Sequence, residues 1–585
     1  MKAVKQMCLS VAVAGIVAGA GSAVATAVAS AEPAAPDSTR SADATENRAP
    51  ASTRTRGQVS RPAAAQTSTN SDRPAAPSAP ESSAPGSAAP ARTQPSTPTR
   101  RRTVSLPDRT APGAVLPATP APAPVPVPIL PVPAAPVAPA SAVTVSASVT
   151  GSRSRIASAN ASQIGDPLPT HVLLIGTDGT NLDKVLQYAY DQPDSGFRAV
   201  MEQGVTGATS LVGHTTISGP SWTTILTGVW DNKSGVINNI FNPAPYDSWP
   251  TVFNLIEYDR PDVDTAVYAD WKYINDMAGA GGYAADVNEF VAFDTTWEET
   301  DNQVVDATIA RIVATTATDS AFIFSYQVAV DEAGHAAGGG SPEYAAAVVN
   351  TSENIKRIMD AVDAWETDPD NLGEEWTVIV TTDHGHQQSV GFGHGFQSPN
   401  ETSSFVIFDL AGDDANDGKQ NLGYSNADIT PTIVDLFGAP TRSDFDGVSL
   451  VNNKTDSIVT PADLKQALDD AVAMYGYPNI GTDVALGVRT VVASVPYFLD
   501  IITNTITGQL QALVDQQIFL ISALAQGAQF VVQVSGDILV GVTQAVARVV
   551  ATLTGSGVIA PTDPPLPAPP ADSVRLPMLR AAALV

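Results

Sequence analysis

Hydrophobic positions along this chain fall into distinct regimes. Between residues 166 and 455, short apolar runs alternate with stretches whose apolar residues recur every three or four positions. His171–Thr177 (HVLLIGT), Ala321–Val330 (AFIFSYQVAV) and Trp376–Thr382 (WTVIVTT) are rich in β-branched and aromatic side chains. That is the pattern of strands buried on both faces. Thr265–Ala269 and Ser404–Phe408 read as further strands. Helical periodicity marks Leu182–Tyr190, Pro250–Tyr258, Gln303–Thr315, Glu343–Trp365 and Asp428–Phe437, the last with Pro431 in its first turn. Strands alternating with helices predict an α/β domain, a three-layer sandwich around a central, mostly parallel sheet.

The flanks have other patterns. Residues 456–556 carry Ala- and Val-rich helical periodicity from Thr460-Pro461-Ala462-Asp463 onward. Their longest uncharged stretch, Gln516–Gly536, holds five glutamines and several Ser and Gly, a poor composition for a membrane span. Amphipathic helices packed on the enzyme are expected, with another subunit or a membrane surface as alternatives. Residues 32–165 are rich in Ala, Pro, Ser and Thr without a lasting period, and read as a disordered linker. Ala111–Ala140 favours polyproline II, a spacer of roughly 90 Å at about 3.1 Å per residue. Residues 1–31 combine Lys2 and Lys5, an apolar stretch and Ala29-Ser30-Ala31, which reads as a signal peptide cleaved after Ala31. An uncleaved anchor is the alternative. Residues 557–585 return to Pro-rich composition and read as a disordered tail. A secreted or cell-envelope location follows.

Charge and cysteine usage sharpen this. The linker has a net charge of +6, while residues 166–585 carry −37 of the total of −29. So acidic a body argues against a nucleic-acid-binding surface, and an anionic substrate would need bound cations. The Arg100-Arg101-Arg102 cluster reads as a solvated run or a contact for anionic wall polymer. The single cysteine, Cys8, lies in the signal, which excludes disulfides and thiolate ligands from the mature chain.

The candidate chemistry lies at strand ends, where open α/β sheets collect their sites. Asp178, Asp331 and Asp383 each follow an apolar run. Asp331 and His335 are four apart; Asp383-His384-Gly385-His386 and Gly393-His394-Gly395 add imidazoles, and four of the six histidines fall between 335 and 394. Mixed carboxylate and imidazole suits Zn²⁺ or Mn²⁺ better than Ca²⁺ or Mg²⁺. The acidic loop Asp413–Gly418 lacks the terminal Glu of an EF-hand and reads as solvated. Trp271-Lys272 is a candidate for a pocket wall, with plain packing and a surface lysine as the alternative.

Taken together, Asp178-Gly179, Ser218-Gly219-Pro220 with Thr224-Ile225-Leu226-Thr227-Gly228, Asp331…Gly334-His335, Asp383-His384-Gly385 and His394-Gly395 resemble the alkaline phosphatase superfamily. The likeness is to its type I phosphodiesterase/nucleotide pyrophosphatase branch, over residues 168–452. Asp428…Pro431-Thr432 and Asp446-Gly447-Val448-Ser449-Leu450 are similar to the family's carboxyl end. The resemblance implies an alkaline-phosphatase-like fold and two divalent ions, zinc or manganese. One would be held by Asp331, His335 and His394, the other by Asp178, Asp383 and His384, with Ser218 as nucleophile on the second. It assigns Asn239 a contact to the phosphate oxygen, the alternative being a turn residue. His386 is read as a supporting or substrate contact, and Thr215 and Thr216 as neighbours of the nucleophile. The branch usually has Thr where this chain has Ser218, which leaves the substrate open. Sulfatases share the fold, but their maturation motif needs Arg where this chain has Trp222. The expected activity is a secreted phosphohydrolase, on phosphodiesters or nucleotide pyrophosphates in preference to monoesters. A phospho- or sulfo-ester transferase or hydrolase acting on envelope glycans or lipids is one alternative. A non-catalytic envelope-associated metal-binding protein is another.

Overall fold

The computed structural model describes residues 169–569 apart from 372, 392 and 452. The expected signal peptide, the whole of the linker and the end of the tail lie outside the described residues.

Nine strands form one sheet: β1 His171–Thr177, β2 Val205–Ser210, β3 Asp264–Ala269, β4 Val287–Phe290, β5 Ala321–Gln327, β6 Trp376–Thr381, β7 Ser403–Asp409, β8 Gln420–Asn421 and β9 Ile458–Val459. Their order is β4-β3-β5-β1-β6-β7-β2-β8-β9. The block from β4 to β6 is parallel, whereas β7 runs antiparallel to both β6 and β2. Hence β2 points the same way as the parallel block, and the carboxyl ends of β1, β2, β3, β5 and β6 open on one edge.

Alternation within β1 explains the three layers. Val172 and Leu174 face one apolar cluster, Leu173 and Ile175 the other, as the two-residue period of a strand requires. The second cluster is covered by α1 (Leu182–Asp191) and α2 (Gly196–Gln203), the first by α3 (Ser218–Thr227), α4 (Val252–Asp259) and α5 (Lys272–Ala278). Further along, α6 (Trp297–Ala314), α7 (Ala329–Ala337) and α8 (Pro342–Glu366) lie on the second face, and α9 (Ile429–Leu436) on the first. This is the alkaline-phosphatase-like arrangement expected from the sequence, with a helical carboxyl-terminal region: α10 (Leu464–Tyr475), α11 (Ile480–Val514) and α12 (Phe519–Leu553).

Three local readings change. The run Ala321–Val330 is not one strand: β5 ends at Gln327, and Asp331 sits in the first turn of α7. The cause is Asp301 on α6, whose Oδ1 accepts from the Val328 and Ala329 N–H groups at 3.0 and 3.2 Å. These are orphan donors that a helix start must satisfy. Second, α6 begins at Trp297 rather than Gln303, because the Thr296 hydroxyl caps the Glu299 N–H. Third, β2 and β4 were not foreseen; VTGATS and VNEF hold no apolar run, and tertiary pairing makes them strands.

The carboxyl-terminal segments fasten back onto this body. Leu468 and Ala471 of α10 are buried in the second cluster. At the base of the α11–α12 hairpin, Arg489 pairs with Asp231, Thr490 donates to the Gly395 carbonyl, and Asn238 Nδ2 reaches both Ala493 O and Gln544 Oε1 at 2.8 Å. Residues 557–569, placed in the tail by composition, hydrogen-bond the body: Gly557 N–H to Asp231 O, and Ser443 N–H and Oγ to Asp563.

Asp301→Ala should therefore strand two buried N–H donors at the start of α7. The expected loss is about 2–4 kcal/mol in the denaturation midpoint analysis. A loss below about 0.5 kcal/mol would show that α7 starts without this carboxylate.

Candidate active site

Asp178 leaves β1 and is fully buried. Its Oδ2 accepts from Trp222 Nε1 at 2.8 Å and from the Tyr326 hydroxyl, which fixes the carboxylate and leaves Oδ1 without a hydrogen-bond partner. Asp383 leaves β6. Its Oδ1 accepts from Gly179 N–H and His384 N–H at 3.1 and 2.9 Å, and its Oδ2 has no hydrogen-bond donor. His384 directs Nε2 to 3.2 Å from Asp383 Oδ2, 3.8 Å from Asp178 Oδ1 and 3.2 Å from Ser218 Oγ. Ser218 opens α3, and Gly219 N–H next to it donates to Asn239 Oδ1 at 2.8 Å. Gly179 has φ +61°, and a side chain there would strike Asp331.

A second group stands beside the first. Asp331 Oδ2 lies 3.1 Å from His335 Nε2, and its Oδ1 lies 3.5 and 3.6 Å from the Nε2 atoms of His386 and His394. His394 donates Nδ1–H to Thr216 O at 2.7 Å, which turns Nε2 inward to 3.1 Å from His335 Nε2. Gly393, at φ +83°, lets the chain pass over His335 and His386 where a Cβ would collide with both.

The six expected metal ligands fall into two groups, Asp178, Asp383 and His384, and Asp331, His335 and His394, the second joined by His386. Ser218 stands beside the first group. His386, read as a supporting residue, is fully buried and has neither ring nitrogen paired. The Thr216 hydroxyl is engaged otherwise, with Phe396 O and Gly395 N, and the Thr215 backbone carbonyl accepts from Ser221 Oγ. Trp271 stacks on Tyr273 and Tyr326 at 4.8 and 6.2 Å, while Lys272 pairs with Asp276 at the surface. Sequence reading missed the residues that hold the site: Trp222, Tyr326, Asn181, whose Oδ1 accepts from His386 N–H, and Thr490 from the distant α11. Trp222, Asn181 and Tyr326 stand in or beside quoted segments without a pattern that marks their role, and Thr490 carries no local signal.

Electrostatics define what the site accepts. Burial and the neighbouring Asp331 charge push Asp178 up to about 8, and burial with the Asp178 charge holds Asp383 well above the usual carboxylate range. Burial brings His384 down to about 4 and His394 well below its ordinary value, so these imidazoles are neutral lone-pair donors at pH 7. The Asp331 charge holds His335 up at about 9, and His335 in turn holds Asp331 well below the usual carboxylate range. Unpartnered oxygens on three buried aspartates, facing the neutral imidazoles of His384, His386 and His394, fit divalent cations that would displace the His335 proton. The tyrosine and tryptophan donors around them are too few to offset three charges.

Residues 172–397 match the type I phosphodiesterase / nucleotide pyrophosphatase family. A protein of Bacteroides thetaiotaomicron assigned as a sulfatase is 16% identical with a TM-score of 0.40, over 50% of this chain and 75% of its own. The phosphonate monoester hydrolase of Silicibacter pomeroyi is 15% identical with a TM-score of 0.36, over 50% and 78%. No curated protein matches the chain. Over that region the chain is similar to the alkaline phosphatase superfamily. Within it, this chain is type I phosphodiesterase/nucleotide pyrophosphatase-like.

The raised carboxylates carry a pH signature. A carboxyl whose folded value lies above its unfolded 3.8 binds more protons when folded, so it loses stability as pH rises towards the folded value. The lowered histidines act in the opposite sense, but only below about their unfolded 6.5. Between about pH 6.5 and 8, metal-free protein should therefore show a falling Tm, and saturating Zn²⁺ or Mn²⁺ or Asp178→Asn should flatten the slope. A slope unchanged by both would contradict the assignment.

Proposed function

We propose that the protein is a secreted or envelope-associated two-metal phosphohydrolase that cleaves phosphodiesters or nucleotide pyrophosphates through a phosphoserine. The observation that carries this reading is Ser218 Oγ, set 3.2 Å from His384 Nε2 beside unpartnered oxygens of Asp178 and Asp383. Asp178, Asp383 and His384 would hold one ion with Ser218, and Asp331, His335 and His394 the other, with His386 next to them. Divalent ions bound there offset the carboxylate charge, polarise the phosphoryl group and acidify a hydroxyl or water.

The chain's own residues then do the following. Ser218 Oγ loses its proton and forms a bond to phosphorus as the bond to the leaving oxygen breaks; that oxygen departs and takes up a proton. Water then displaces Ser218 from phosphorus, and Ser218 regains a proton. Two in-line displacements retain configuration at phosphorus. Asn239 is oriented by Gly219 N–H on its Oδ1 and by the Tyr497 hydroxyl, which accepts from its side chain, and its Nδ2 would donate to a phosphoryl oxygen. His384 is steadied by the contact of its Nδ1 with Gly385 O at 3.0 Å, which turns Nε2 towards Ser218. The acidic body repels anionic substrates, so attraction is left to the cations at the site.

With zinc or manganese present, the purified protein should hydrolyse bis(p-nitrophenyl) phosphate. Ser218→Ala should lower kcat by at least about a thousandfold with metal content unchanged, and Asn239→Ala by about a hundredfold. Inactivity of the wild type on mono-, di- and sulfate esters alike would favour a non-catalytic metal-binding role.

A further inference from the structure

The α11–α12 hairpin has its apolar surface on the outside. Each helix has 35 residues, about 52 Å at 1.5 Å per residue. Its base is fixed to the catalytic domain by Arg489, Thr490 and Asn238, as described. From residue 501 to 536 every side-chain hydrogen bond among the described residues stays within the hairpin, for example Gln529 to Gln511 and Ser522 to the Leu513 carbonyl. The seam there is small and polar: Thr503 and Thr507 are buried, and Gly536 lies against Thr503.

The face of α12 turned away from that seam repeats every 3.5 residues. Leu524, Val531, Ile538 and Ala545 are seven apart, and all are exposed. Ala528, Ser535, Val542 and Val549 fill the intervening positions and are exposed as well. Leu524, Val531 and Ile538 show 67, 61 and 64% of their surface to solvent. A straight solvated helix has no reason to keep this period, whereas a helix packed on another helix does. The alternating row of small and medium side chains permits close approach of a partner helix.

Two observations choose the occupant. Counting flanking positions, ten large apolar side chains are exposed on this face. At about 80 Å² each they offer roughly 800 Å² per chain, the size of a standard stable interface. A lipid surface fits less well. Interfacial helices carry Lys or Arg on the polar face and aromatic residues at the headgroup level. α12 has no Lys, Trp or Tyr and a single Arg, Arg548, on a chain of net charge −29.

We propose that this face of α12 packs against the same face of a second copy, making a four-helix bundle from two hairpins. The two α12 helices run antiparallel about a two-fold axis near Ser535. This separates the two acidic catalytic domains to opposite ends of the bundle, well beyond the roughly 8 Å screening length at physiological salt.

The test uses the full chain. Sedimentation equilibrium at micromolar concentration should give twice the chain mass. Val531→Lys with Ile538→Lys should give the single mass with unchanged circular dichroism, since both positions are exposed in one copy. In a Cys8→Ser background, Ser535→Cys should crosslink under mild oxidation. Leu524→Cys should not, and Leu524→Cys combined with Val546→Cys should. Crosslinking of Leu524→Cys alone would indicate a parallel pair and overturn the antiparallel arrangement. A monomeric wild type would overturn the proposal, whether the face then floats with phosphatidylcholine vesicles or is covered by the chain itself. So would a dimer that survives the two lysines.

Discussion

The structure turns on one electrostatic constraint: three aspartates with buried, unpartnered oxygens are brought together at one sheet edge. Left alone, Asp178 and Asp383 resist ionisation, as their upward displacement expresses, while the His335 charge holds Asp331 down. Divalent cations relieve that cost, and the same cations suit phosphoryl chemistry. Much of the surrounding architecture serves to hold the constraint in place. Trp222 and Tyr326 fix Asp178, the Gly179 and His384 amides fix Asp383, and the Asp301 cap starts the helix that carries Asp331. Fold stability and site chemistry are therefore linked through the same side chains.

A good part of this was legible from residue order. The buried strands announced themselves because parallel strands covered on both faces need continuous apolar runs. The site residues were legible because histidine is scarce in this chain and clusters after those runs. What stayed hidden depended on distance in sequence. Nothing near Ala321–Val330 tells that Asp301 ends the strand and begins a helix. Nothing near Gly395 tells that Thr490 bonds its carbonyl. The strands VTGATS and VNEF owe their conformation to neighbours. That His386, read as a supporting or substrate contact, lies buried among the candidate ligands could not be told from spacing alone.

The carboxyl-terminal helices join the two themes. Their base reaches the glycine beside His394 and, through Arg489, the Asp231 that His214 also contacts at 3.3 Å. Their outward face remains apolar along its length. A region that composition described only as helical thus touches the site at one end. At the other it presents an unpartnered surface.

The most direct measurement of the central claim is elemental analysis of the purified protein beside its Asp331→Ala and Asp383→Ala variants. Two equivalents of zinc or manganese per chain are expected in the wild type. Each variant should lose one equivalent and keep the other. A folded wild type that binds neither ion at micromolar concentrations would contradict the account, because the buried carboxylates would then need no cation.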